Sequence, residues 1–350
     1  MLLRQTKLKP TSISIDASTI CQLNCPSCPC ASGAISNGIG AGFLKFMDFK
    51  KIINEAHWIN DVELSNWGEI FLNPELGKII EYGFKKKICL HAYNGVNLNH
   101  VQEKIPELLV KYRFNGMTCS IDGANQQTYE IYRKGGNFDV VIENIKKINQ
   151  YKKKYHSQLP FLKWQFVAFG HNEHEIKKAR QMAQELGMSF YVKLCWCTFS
   201  PVKDKDLIRS ESGTGAATRE EYIQKFGREY LRDICTQLWV KPQINFDGKM
   251  LGCCCNYRGD FGNAFEQGLL NTLNNEKMNY ARQMLLGKKE ERSDIPCTEC
   301  NTYRNIKQEK AWLKKSEVRP ELCLKKNIKK ILGCFYLFDL ARTVKKKIGC

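Results

Sequence analysis

The chain has 350 residues, of which 43% are hydrophobic and 26% charged. That length buries a substantial core, and the composition excludes extensive disorder. The longest apolar run, 331–338, falls far short of the ~18–20 residues that span a bilayer, and the first ten residues are too charged for a secretion signal. Two totals stand out: 17 cysteines and a net charge of +18. An odd number of cysteines without a signal segment points to a reducing, cytoplasmic compartment. There, clustered thiols bind metal or do chemistry more often than they form disulfides.

In chain order, short apolar strands alternate with amphipathic helices. Strands are predicted at 12–16, 61–65, 87–92, 116–121, 162–169 and 189–195. Helices are predicted at 46–57, 75–86, 101–112, 138–154 and 174–186, the last stopped by Gly187. Six such units imply an α/β fold, a parallel sheet closed part of the way into a TIM-like (β/α)6 barrel, with ligands at the carboxyl ends of its strands. The core domain is expected over 1–202, and a Ser/Gly/Thr-rich stretch marks a linker over 203–234. A small α+β module follows at 235–302, with a hairpin turning at Asp247-Gly248. A basic helical tail over 303–350 carries 14 Lys and Arg against four acidic residues.

Cys21, Cys25 and Cys28 stand in C-x3-C-x2-C spacing just after the first strand. Three thiolates from one loop can hold three irons of a [4Fe-4S] cube and leave the fourth open to another ligand. Zinc with Cys30 as fourth ligand is the alternative. The motif, at this place in a β/α repeat, resembles the radical S-adenosylmethionine (SAM) superfamily. The resemblance implies a cluster on these three cysteines and SAM chelated to the open iron. SAM is then cleaved by one electron to a 5′-deoxyadenosyl radical, which takes a hydrogen atom from substrate. Ser27 departs from the aromatic residue that often precedes the third cysteine.

Other positions extend the likeness. Ser65-Asn66-Trp67-Gly68-Glu69 is similar to the family's Gly-Gly-Glu motif, which implies that Glu69 accepts the SAM ammonium beside an unencumbered Gly68 backbone. Asn94-Gly95 resembles its Asn-Gly turn. By the same match Ser120 would bond the ribose or carboxylate of SAM, Arg133 would pair with its carboxylate, and Gln165 and Asn172 would approach the ribose. His171 and His174 are read as helix-junction residues, and His91 and Tyr93 as polar groups for a small substrate. Cys195 and Cys197 alternate along a strand, one inward and one outward, and are read as packing thiols.

In the last third, Cys235-x12-Gly248-x4-Cys253 precedes Cys297-x2-Cys300. The hairpin brings Cys235 and Cys253 together, and the C-x-x-C loop can complete a four-thiolate site for iron-sulfur or zinc. The spacing resembles the first half of the SPASM pattern. Ile306 and Lys310 stand where its further cysteines would fall, which implies the shortened "twitch" form with one auxiliary [4Fe-4S] cluster. Cys253 is preferred over Cys254 and Cys255 by its spacing from Gly248.

The expected activity is radical SAM chemistry of an oxidoreductase type on a sugar-like small molecule, in polysaccharide biosynthesis. A peptide substrate is the runner-up, and a flavodoxin or ferredoxin is the expected electron donor. A zinc-stabilised nucleic-acid-binding protein is the alternative of another class. The apolar run 331–340 between lysine clusters suggests an interfacial helix on the inner membrane's anionic surface.

Overall fold

The computed structural model describes residues 7–318; the interfacial-helix segment, Cys323 and most of the basic tail lie outside them. Seven strands form one sheet: β1 (Ser12–Ile15), β2 (Asp61–Glu63), β3 (Cys89–Val96), β4 (Gly116–Ser120), β5 (Phe161–Val167), β6 (Ser189–Lys193) and β7 (Gln243–Ile244). Their order is β6-β5-β4-β3-β2-β1-β7, and every pairing is parallel. The first six are in sequence order with helices between them, as the β/α alternation predicts for an open barrel. The seventh is the first arm of the expected hairpin, and its place in this sheet is new. It comes from the C-terminal module and covers the free edge of β1, an edge that would otherwise present unpaired backbone groups.

Strand burial explains the residue choice. In β1 all four residues are buried; Ile13 and Ile15 enter the main hydrophobic core, while Ser12 donates to Asp61 at 2.6 Å. A sheet covered on both faces accepts polar side chains only where they find partners. The outer helices carry the complementary apolar stripe. Phe138–Lys154 buries Phe138, Val141, Ile145 and Ile148, is capped by Asn137 accepting from Val140, and ends on Lys152, Lys153 and Lys154, which suit the negative end of its dipole.

Residues 203–234, read from composition as a linker, contain helices Lys205–Glu211 and Arg219–Phe226, and Ile208 is fully buried. The hairpin is present in short form: Ile244 bridges antiparallel to Met250 around Gly248, whose φ of 92° suits glycine. Among the described residues no helix is long and apolar enough to cross a membrane.

Candidate metal and cofactor site

The loop leaving β1 carries Cys21, Cys25 and Cys28 to the carboxyl end of the barrel. It is fastened by Cys28 N–H to the Cys25 carbonyl (3.0 Å) and by Asn24 N–H to the Lys134 carbonyl (3.0 Å). The three cysteines share an apolar cluster with Leu23, Tyr132, Val167 and Phe169. Burial pushes the Cys21 thiol up to about 12 and raises Cys25; a hydrogen bond from Cys30 holds Cys28 down at about 6. Soft thiols kept from water call for a soft metal partner to carry their charge. Among the described residues no group of three or more His, Cys, Asp or Glu side chains is arranged to hold a single metal ion. In a cluster each thiolate meets a different iron, so the set need not converge on one point.

Gly68 lies directly against this loop. A Cβ there would stand 2.7 Å from the carbonyl oxygens of Ser18 and Ile20, and its φ is +68°. Its N–H donates to Cys30 Sγ at 3.3 Å. The adjoining Glu69 is buried and accepts from the backbone N–H groups of Phe71 and Asn97. Burial raises its carboxyl to about 7 despite those hydrogen bonds. Asn94 and Gly95 lie within β3 rather than beyond it, where the pairing with β4 shifts register; the Asn94 amide donates to the Ser65 carbonyl at 2.9 Å. Ser120 ends β4, its hydroxyl 2.9 Å from where a Cβ on Gly95 would be. Gln165 accepts from the Tyr191 hydroxyl.

Several expectations need correction. Arg133 does not present a free fork: its Nε and Nη2 bind one carboxylate oxygen of Asp122 at 2.7 and 2.6 Å, leaving Nη1 3.8 Å from Cys25 Sγ. Asn172 is fully buried and is turned to the backbone rather than to a ribose. Its amide donates to the carbonyls of Asp122 and Val167 (both 3.0 Å) and accepts from Phe169 N–H (2.7 Å), so it knits the β4 and β5 ends together. His91 is 1% exposed, held between Glu63 (2.7 Å) and Asp61 (3.1 Å), and serves the barrel interior rather than a substrate. Cys195 and Cys197 do not point to opposite sides. They follow β6, their sulfurs meet at 3.1 Å, and they pack against the same buried cluster as Cys21 and Cys28. His171 stacks on Phe169 at 5.2 Å, and His174 is exposed.

The second thiol group is coherent. Cys235, Cys253, Cys297 and Cys300 line one small cavity, with Cys255 also at its wall. Burial raises the Cys253 and Cys297 thiols well above their usual range. The Cys254 thiol instead accepts from the Gln237 amide at 3.5 Å, and its carbonyl accepts from Asn66 of the barrel at 3.0 Å.

A parallel β/α barrel with thiols on its first loop and a second thiol cavity after its last strand defines a class of iron-sulfur proteins. Residues 15–187 match the radical SAM superfamily, and residues 235–301 match an iron-sulfur cluster-binding domain of the SPASM type. No curated protein matches the sequence. Among solved structures, Streptococcus suis SuiB bound to S-adenosylmethionine is similar at 15% identity, over 89% of this chain and 77% of that one, with a TM-score of 0.59. SuiB bound to precursor peptide SuiA is similar over 84% and 70%, at 15% identity and TM-score 0.57. anSMEcpe with bound AdoMet and Cp18Cys peptide is similar over 97% and 99%, at 14% identity and TM-score 0.55. At these identities the likeness is one of fold. The chain belongs to the radical SAM superfamily and carries a SPASM-type domain; its cofactors are a [4Fe-4S] cluster, SAM and auxiliary iron-sulfur.

Proposed function

We propose that this enzyme holds its SAM-cleaving cluster on Cys21, Cys25 and Cys28, and an auxiliary cluster on Cys235, Cys253, Cys297 and Cys300, to oxidise or otherwise modify a polar, sugar-like molecule. The observation that carries the cluster assignment is the gathering of each thiol set: three in one apolar nest and four around one cavity. When bound, the first cluster supplies one electron to SAM and so yields the radical that takes hydrogen from substrate.

The chain's own residues supply the setting. Gly68 lets the thiol loop's backbone approach so closely that any side chain would run into the carbonyl oxygens of Ser18 and Ile20. Glu69, buried and facing the Cys21 side, is the acceptor for the SAM ammonium. Ser120, Gln165 and Asn94 offer polar groups at or near the strand ends. Arg133 places positive charge beside Cys25, favouring its thiolate. Tyr132, Phe169 and Phe199 form an aromatic cluster, with ring centroids 4.5 and 5.6 Å from Tyr132, which excludes water from the thiol side. The electron comes from an external donor, a flavodoxin or ferredoxin.

A peptide is the second reading of the substrate, favoured by the peptides bound to the similar structures of SuiB and anSMEcpe. Anaerobic reconstitution tests the core of the proposal. The full chain should bind about eight irons in two cubane clusters and form 5′-deoxyadenosine from SAM under reductant. The Cys21/Cys25/Cys28→Ala variant should lose about four irons and all SAM cleavage. Zinc in place of iron, with SAM left intact, would falsify it.

A further inference from the structure

The site contains two cations that the proposed cofactor chemistry does not use. Lys193 ends β6, and Arg219 opens helix Arg219–Phe226, a segment that reads from sequence as linker. Both are half-buried. Lys193 Nζ lies 5.6 Å over the Trp196 ring, and the Arg219 guanidinium lies 4.8 Å over Tyr230. The two stand within electrostatic reach of each other. Arg219 also feels Cys195, from the first thiol nest, and Cys255, from the second cavity. Lys193 likewise feels Asp122 and Arg133 on one side and Cys254 on the other. The pair therefore lies within electrostatic reach of a cysteine of each thiol group, Cys195 of the first nest and Cys255 of the second cavity.

Among the described residues neither cation makes an ion pair, and Arg219 Nε is buried without a hydrogen-bond partner. The buried carboxylate within electrostatic reach of Lys193, Asp122, already binds Arg133 through one oxygen and Val167 N–H through the other (2.7 Å). Two like charges drawn out of water beside each other are costly unless something anionic joins them. Burial first, and Arg219 second, hold the Lys193 ammonium below the usual lysine range; an arriving anion would reverse that.

We infer that Lys193 and Arg219 form the docking point for an oxyanion on the substrate, a phosphate or carboxylate group, and that the substrate of this enzyme is anionic. This rests on the proposed function, because it takes the space between the thiol groups as the substrate site. A guanidinium fork bonds two oxygens of such a group, and the ammonium adds a point charge. The anchored group would fix which carbon faces the radical.

The test is a binding measurement on the full chain, reconstituted anaerobically. Inorganic phosphate and acetate are titrated by calorimetry at constant ionic strength, with and without SAM. One of the two anions should bind saturably at a single site, phosphate indicating a phosphate ester and acetate a carboxylate. Lys193→Gln and Arg219→Gln should each weaken that binding at least tenfold, Arg219→Lys should restore part of it, and Lys178→Gln on an outer helix should leave it unchanged. Iron content and far-UV circular dichroism verify that each variant is folded. Absence of saturable binding to wild type overturns the inference, as does binding that survives both Gln variants. A fall in SAM affinity equal to the fall in anion affinity also overturns it, since the cations would then serve SAM. Loss of iron from wild type would instead overturn the underlying functional reading.

Discussion

The backbone of Gly38 lies flat against the carbonyl of Tyr257: a Cβ on Gly38 would stand 2.0 Å from that oxygen. Gly38 belongs to the helix Ala34–Ile39, which follows the first thiol loop, and Tyr257 follows the three consecutive cysteines of the second module. Trp67 packs edge-on against the Tyr257 ring at 5.8 Å, and the Asn245 amide donates to the Ile39 carbonyl at 2.9 Å. The two thiol regions are thus joined by direct backbone contact.

Gly38→Ala should therefore destabilise the protein by about 1–3 kcal/mol, the range for overpacking against something that cannot move aside. Gly42→Ala meets the Phe246 ring rather than backbone and should cost less, since a side chain can rotate. Urea unfolding of the two variants, with the slope compared to wild type, checks the order.

Removing Arg133 should be expensive for a different reason. Asp122 is fully buried, and its charge is balanced by the guanidinium. Arg133→Met leaves that carboxylate uncompensated, at a cost on the order of 3–5 kcal/mol. The double variant Asp122→Asn with Arg133→Met should recover a large part of the loss. Denaturant midpoints of the two singles and the double measure the coupling.

Acid should weaken the barrel through Glu63. Burial alone would raise its carboxyl, but His91, Lys241 and Ser65 hold it down at about 2. A carboxyl depressed on folding stabilises above its unfolded pKa, and that contribution is lost as pH falls through the folded value. Stability should accordingly fall between about pH 4.5 and pH 2, by up to ~3 kcal/mol from this group. Glu63→Gln should flatten that part of the profile while lowering stability near neutrality, as chemical unfolding across pH would record.

The three consecutive cysteines should separate by iron content. Cys253 lines the cavity with Cys235, Cys297 and Cys300, whereas Cys254 faces Gln237. Cys253→Ser should lose about four irons, one cubane's worth, and Cys254→Ser none. Elemental analysis after anaerobic reconstitution decides between them, and equal losses would place the ligand elsewhere in the run.

What the sequence discloses and what it conceals divide along physical lines. Period and spacing are local properties, so the six β/α units and the C-x3-C-x2-C loop were legible, and helix 138–154 was delimited to the residue. Partnering is not local. Nothing in the sequence of Asn172 says that its amide is turned to the backbone of Asp122, Val167 and Phe169, or that His91 is wedged between Asp61 and Glu63. Arg133 was picked out as a cation near the site, but its engagement by Asp122, eleven residues earlier, depends on how the loop after β4 folds back. Lys193 and Arg219 were missed because one sits in an ordinary strand and the other in a polar stretch that reads as linker.

The pairing of β7 with β1 has a bearing on how the chain is made. Ser14 and Asp16 N–H donate to the carbonyls of Pro242 and Ile244, each at 2.9 Å, across more than two hundred residues. A nascent polypeptide that has emerged only as far as β6 would have all six barrel units outside the ribosome and still carry a naked edge on its first strand. Such an edge recruits other chains, so fragments cut before residue 242 should be the ones that clump during expression, and late synthesis of this short strand acts as the clasp that finishes the barrel.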